Sequence, residues 1–330
     1  MSKPVIAFVT GGYSGEAEIS YKSAITIEAN IDTEKFDYYK IDIRTDGWFY
    51  QPQEGAEQLV DKSDFTISTS EGKIKFDAVL IGIHGTPGED GKLQGYFDLL
   101  GIPYTSCNAA TSAITFNKRY TVAVAAFSGI NVANSLVFFK GDAVDVKDIS
   151  NKLSYPVFVK PNNGGSSIGM SKVNAEADLE AAIVKAFVED TQVLVEEMII
   201  GREFTIGVCK INGEIITLPF TEVEALNEFF DFEAKYLGKS KETTPAVVDE
   251  AIAEKVRATA KKIYQVFNCN GVVRIDFIYN EAKQAPYMLE INTVPGQSAA
   301  SLVPQQVKAM GMDLKTFYSG LIEEALKNIG

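Results

Sequence analysis

Continuous apolar runs alternate with amphipathic stretches along most of this chain. PVIAFVT reads as a buried strand, the Gly-rich turn GGYSGEAE follows it, and a helix is expected over about 16–30. Strand, turn and helix in that order open a parallel α/β layer. DYYKIDI and GWFY extend the layer, and KFDAVLIGIHG adds a long buried strand that runs into the polar turn HGTPGEDGKLQG. Helix KLQGYFDLLG and strand IPYT close a first unit at residue 106. A second unit, 107–197, opens with the helical CNAATSAITFNKRYTVAVAAFSG. It continues through strand YPVFVKP, the loop NNGGSSIGM, a further strand, the amphipathic AEADLEAAIVKAFVED and strand TQVLVEEMIIG. A third unit, 198–330, starts with an antiparallel pair, REFTIGVCKING and EIITLPF. A long aperiodic loop lies between Glu222 and Pro245, and DEAIAEKVRATAKKIYQVFN is a strongly amphipathic helix. Two apolar strands joined by a polar hairpin occupy 271–302, and MDLKTFYSGLIEEALKN is a terminal helix.

The hairpin carries the densest chemistry. Side chains two apart on a strand share a face, so Glu290 and Asn292 in MLEIN point the same way. If the two strands pair, Asp276 in VVRIDFI faces them, and Arg274 adds a fixed cation two residues before it. Two carboxylates and an amide on rigid strands suit Mg²⁺ beside nucleotide phosphates. The alternative is a solvated polar face, which the nearly continuous apolar flanks disfavour because buried unpaired charge is costly.

Three other stretches offer ligand chemistry. Lys160 ends a strand just before a loop of Gly, Ser and Asn, including Ser166 and Ser167, whose amides and hydroxyls suit a phosphate cover. The P-loop pattern is absent there, and GxGxxG is absent after the first strand. His84, the sole histidine, stands at a strand's C-terminal end, where ligand sites of open α/β sheets gather. A structural and a ligand role weigh equally for it. Glu196 and Glu197 interrupt an apolar strand and can serve the base and ribose of a nucleotide. Lys118 and Arg119 are candidates too, or simply a solvated face. The loop of 222–245, with Lys235 and Tyr236, has the length of a lid.

Composition narrows the class. The chain has 330 residues, 46% hydrophobic, enough for two or three packed units. A formal net charge of −13 argues against nucleic acid or anionic membrane as the main partner. Three widely spaced cysteines in apolar settings read as reduced core thiols of a cytoplasmic protein. No apolar run approaches the ~18 residues that span a bilayer, and MSKPVIAFVTGG enters a strand with no leader-like segment.

Taken in order, GGYSGEAEIS, IHGTPGEDGKLQG, FNK at 116–118, KPNNGGSSIGMSKV, LVEEMIIGREFT, FFDFEAKY, VVRIDFI and LEINTVPGQSAASLVP make the chain resemble the ATP-grasp superfamily, and within it the D-alanine–D-alanine ligases. The resemblance implies a three-domain α/β ATP-grasp fold with a Rossmann-like N-terminal domain and ATP between the central and C-terminal domains. It implies condensation of two D-alanines with ATP through a D-alanyl phosphate, for peptidoglycan precursor synthesis. Two Mg²⁺ ions would serve, with Mn²⁺ as a substitute, in a cytoplasmic homodimer.

Carried over by motif, the resemblance assigns Lys118, Lys160, Ser166 and Ser167 to the phosphates. It assigns Glu196, Glu197, Ile199, Glu203 and Phe229 to the rest of the nucleotide. Asp276, Glu290 and Asn292 match the metal ligands. Glu16 and His84 match groups around the first D-alanine, with Glu16 taking its ammonium. Ser166 and Tyr236 match a pair tying both loops to Glu16, while Arg274 and the Gly296 backbone match oxyanion stabilisers. Lys235, Ser301 and Leu302 match groups around the substrate, the last two receiving the second carboxylate. Thr10 stands where many members have histidine, uncharged residues occupy 162–164, and DFEAKY replaces a segment with a second tyrosine. Rival readings are a D-alanine–D-lactate or D-serine ligase, another ATP-grasp carboxylate–amine ligase, and a non-catalytic nucleotide-binding protein.

Overall fold

The computed structural model describes residues 2–52, 54–69, 72–164, 168–225 and 240–327. Its first layer contains β1 (Val5–Gly11), α1 (Ala17–Glu28), β2 (Asp37–Arg44), β3 (Gly47–Tyr50), β4 (Gln58–Leu59), β5 (Ile67–Thr69), β6 (Gly72–Ile74), β7 (Ala78–Ile81) and α2 (Lys92–Leu100). β2, β1 and β7 are parallel neighbours, and β3 and β4 extend the β2 edge in antiparallel fashion. Ile6 to Val9 are fully buried, as an apolar run in a sheet covered on both faces must be. IPYT contributes only an isolated bridge, Val79 to Tyr104. The strand from KFDAVLIGIHG stops at Ile81, so His84 lies in the turn beyond it.

The central layer holds α3 (Ala109–Phe116), α4 (Lys118–Phe127), β8 (Ser135–Phe139), α5 (Val146–Lys152), β9 (Val157–Pro161), β10 (Ser171–Val173), α6 (Leu179–Glu189) and β11 (Gln192–Glu197). The strands form an antiparallel sheet in the order β10-β9-β11-β8. The single long helix expected from residue 107 onward is two helices. Asn117 is extended (φ −99°, ψ 103°), and its side chain accepts the Tyr120 amide at the start of α4. An asparagine that can cap competes with helix continuation.

The last layer holds β12 (Arg202–Ile211), β13 (Glu214–Thr217), β14 (Thr221–Ala225), β15 (Ser240–Thr243), α7 (Glu250–Val266), β16 (Val272–Asn280), β17 (Ala285–Asn292), α8 (Leu302–Ala309) and α9 (Leu314–Lys327). Its sheet runs β15-β14-β12-β16-β17, with β13 also on β12. The long loop of 222–245 is thus shorter than expected, because its two ends pair as β14 and β15. Along β16, Val273, Ile275, Phe277 and Tyr279 are all fully buried. They pack in one cluster with Val256, Ala260 and Ile263 of α7, each large side chain contributing about 1.5–3 kcal/mol on burial.

A shared core and a close backbone approach help join the first and last layers. Phe317, Leu321 and Ile322 of α9 share a core with Phe8 and Leu80 of the first sheet. Gly271, at φ +64°, lets the chain entering β16 lie directly against the Thr105 carbonyl, where any Cβ would overlap it.

Candidate active site

The alternate face of β16 meets β17. Asp276 pairs with Glu290 and Arg274 with Asn292, so all four side chains leave the sheet on one side. A bulge at Leu289 makes this compatible with the core: Phe277 pairs with Met288, so the burial phase shifts by one residue along β17. Met288 therefore stays 2% exposed in the core while Glu290 faces outward. Arg274 grips Asp276 with Nε and a terminal nitrogen at 2.9 and 2.8 Å. Thr205 on β12 donates to Asp276 at 2.5 Å, and Asn292 donates to it at 3.4 Å. Burial disfavours the Arg274 cation, but Asp276, Glu290 and Glu89 more than offset that and raise its pKa.

On the central sheet the same two-residue alternation sends Val157, Val159, Val193 and Val195 into a core. Phe158, Lys160 and Glu196 go to the opposite side, where Lys160 Nζ donates to Glu196 Oε1 at 2.8 Å. The break at Asn117 aims α4 at the turn after β9. Asn162 accepts the Lys118 and Arg119 amides, and Lys118 Nζ donates to the Gly164 carbonyl at 2.6 Å. Glu197 is held differently: its carboxylate accepts the Ser154 amide and the Asn134 side chain.

The turn after β7 meets the turn after β17. His84 is 6% exposed. Ser23 Oγ lies 2.8 Å from His84 Nε2 and accepts the Gln297 amide at 3.1 Å. The ring also hydrogen-bonds the Val294 backbone, so the imidazole is tethered both to α1 and to the turn after β17. Burial is the main reason the imidazole pKa falls to about 4, so the ring is neutral. Glu16 leans on Gly85, where a Cβ would stand 2.5 Å from its carboxylate. Ser301 precedes α8 as its N-cap and Leu302 is the first helical residue, so the positive end of the helix faces the site.

One cavity of about 870 Å³ opens among these elements. Among the residues read from the sequence, it is bordered by Glu16 and His84 from the first layer and by Lys118, Lys160, Glu196 and Glu197 from the second. Ile199, Glu203, Arg274, Asp276, Glu290, Asn292, Gly296, Ser301 and Leu302 border it from the last. Ser166, Ser167, Phe229, Lys235 and Tyr236 lie outside the described residues. The sequence reading missed Glu89, which borders the cavity and whose pKa is raised to about 8, chiefly by burial. It also missed Thr205 and Ser23. An acid in a turn at the sheet's C-terminal edge was the one available signal, and HGTPGED contains it.

Among the described residues no three His, Cys, Asp or Glu side chains converge as a full metal cage. Two carboxylates and an amide do converge, the partial donor set that suits Mg²⁺ when phosphates complete its shell. Glu290 is the more open carboxylate, its side chain 35% exposed against 12% for Asp276.

Comparison with known proteins gives this cavity a context. Residues 5–107 match the model described as D-ala D-ala ligase N-terminus, and 124–323 match D-ala D-ala ligase C-terminus. The chain is 44% identical over 321 residues to the D-alanine–D-alanine ligase of Flavobacterium johnsoniae, covering 97% of this chain and 99% of that one. It is 42% identical over 326 residues to that of Parabacteroides distasonis, covering 99% and 98%. Among solved structures, the VanG D-Ala:D-Ser ligase of Enterococcus faecalis superposes with a TM-score of 0.88 at 33% identity, covering 98% of this chain and 99% of that one. The Bacillus anthracis D-alanine–D-alanine ligase complexed with ATP gives 0.79 at 26%, covering 99% and 98%. These ligases have the ATP-grasp fold, and the present chain belongs to the D-alanine–D-alanine ligase family.

Proposed function

We propose that this protein joins two D-alanines in an ATP-dependent reaction, making D-alanyl-D-alanine for peptidoglycan. What carries the reading is the single cavity that gathers phosphate-type lysines, an oxygen donor set, Arg274 and a helix N-terminus in a chain of this family. A carboxylate is a poor electrophile because hydroxide leaves badly. Attack of the first carboxylate on the γ-phosphorus, with ADP leaving, gives an acyl phosphate. The second amine then attacks that carbonyl, loses a proton and expels phosphate.

The residues divide this work by position. Lys118 and Lys160 hold the phosphates, with Ser166 and Ser167 as their cover. Glu196, Glu203, Phe229 and the backbone of 197–199 hold base and ribose. The Glu197 carboxylate is already occupied by Ser154 and Asn134 and its amide by the Asn134 carbonyl, which leaves its main-chain carbonyl for that role. Asp276, Glu290 and Asn292 would hold Mg²⁺, in two ions replaceable by Mn²⁺, which neutralises phosphate charge when bound. Glu16 takes the first ammonium; His84, with its nitrogens engaged, supports that end rather than exchanging protons. Arg274 and the Gly296 amide receive the oxyanion, and Ser301 and Leu302, with Lys235, the second carboxylate. Ser166 and Tyr236 tie the closing loops to Glu16, excluding water from the acyl phosphate.

The same reading includes units at 1–106, 107–197 and 198–330, a cytoplasmic location and a homodimer, the last checked by light scattering. No described helix is long and apolar enough to cross a membrane.

A second reading, D-serine as the second substrate, draws on the match to a D-Ala:D-Ser ligase. Phosphate release from ATP and Mg²⁺ decides between them. D-alanine alone should trigger it and yield the dipeptide, while L-alanine should not. Turnover only when D-serine or D-lactate accompanies D-alanine would overturn the first reading. Nucleotide binding without turnover on any of these would overturn both.

A further inference from the structure

Glu89 joins two backbone segments that are far apart in the chain. Oε2 accepts the Gly85 amide at 2.7 Å, in its own turn, and Oε1 accepts the Val294 amide at 3.2 Å, across 205 residues of sequence. Gly85 is the residue on which the Glu16 carboxylate rests. Val294 opens the turn that contains Gly296. The far side of that turn is held by the first layer as well, through Ser23 and the Gln297 amide, and Tyr318 donates to the Gln297 side chain at 3.0 Å.

We propose that Glu89 is a positioning residue for ligation, a two-pronged acceptor that sets the Gly296 turn against the Glu16 loop. This rests on the ligase reading above. Two acceptor oxygens on one carbon are needed because both partners are N–H donors. Glutamine offers one oxygen and turns an NH₂ toward the second donor, while aspartate is a methylene short of spanning both. Glu89 acts through the two turns it joins. Losing one prong would let the oxyanion and ammonium ends of the site drift apart, which costs rate without touching the lysines or the nucleotide end.

The test compares wild type, Glu89→Gln and Glu89→Asp. Hydrogen exchange is read at peptides covering 84–88 and 292–298, and steady-state kinetics are read separately for D-alanine and ATP. The expected result is faster exchange in both peptides, kcat/KM for D-alanine lower by about 10- to 100-fold, and an ATP dissociation constant within about twofold of wild type. Wild-type exchange, or wild-type D-alanine kinetics, in either variant that remains folded by circular dichroism overturns the proposal. A purely structural role would lower the melting temperature and leave the D-alanine kinetics alone, which also overturns it. If wild type itself turns nothing over with D-alanine, the ligase reading fails, while the exchange data still report on the clamp.

Discussion

The β16–β17 pair and the two turns around His84 and Val294 build adjoining parts of one cavity wall by different means. On the strands, covalent spacing and ladder register do the positioning: Arg274, Asp276, Glu290 and Asn292 face the cavity because they are two apart and paired. In the turns, position comes from side chains reaching across the fold, with Glu89 to Val294 and Ser23 to Gln297 spanning 205 and 274 residues. A strand-borne group is hard to displace but easy to delete. A turn-borne group survives deletion of its neighbours only while its hydrogen-bonded supports remain.

The strand wall should therefore show the largest single-residue effects. Arg274→Ala removes the proposed oxyanion donor, and kcat should fall about 10²–10³-fold while ATP binding, followed by calorimetry, persists. Near-normal turnover would break the assignment of that wall to the chemistry. Next comes Glu290→Gln, which keeps the shape and removes a charge from the more open carboxylate. The Mg²⁺ concentration for half-maximal turnover should rise by at least the ~10–100-fold that even an outer-shell loss costs. An unchanged Mg²⁺ titration would move the metal elsewhere.

The turn wall is sharpened by pH, with the smallest effect at neutrality. The folded-state pKa of His84 is depressed from 6.5 to about 4, so the unfolded chain binds its proton first on acidification. Stability from this group is present above pH 6.5 and lost as pH falls toward 4, about 2–3 kcal/mol by pH 4.5. Glu89 works oppositely: raised from 4.5 to about 8, it contributes stability below 4.5 that fades as pH rises through 8. Urea midpoints of wild type minus His84→Gln isolate the histidine; a difference that does not change between pH 7.5 and 4.5 would contradict its buried, neutral state. His84 is the only histidine, so its ring protons also give one unambiguous NMR titration.

The same contrast explains what was legible in the sequence. Period-two patterning exposes strand faces, so spacing alone groups Asp276, Glu290 and Asn292. Val273, Ile275 and Phe277 opposite them read as core for the same reason. Periodicity does not mark Asn117, whose extended backbone splits what reads as one helix, because a capping asparagine and a tolerated helical one look alike. Nor does it mark the ends of the 222–245 loop, whose pairing as β14 and β15 is set by the neighbouring β12 edge rather than by local alternation. Glu89 lies in plain view in HGTPGED, but its meaning depends on an amide 205 residues away, which no local pattern encodes.

The bulge at Leu289 has one more consequence. In a regular strand, consecutive side chains face opposite sides, so one wall receives every second residue. The extra residue puts Leu289 and Glu290 on the same cavity lining, one after the other. A greasy surface and an anionic group thus stand side by side with no spacer between them. For a ligand such as ATP, which carries a flat apolar base and a polyanionic tail, that juxtaposition lets one strand offer both kinds of surface.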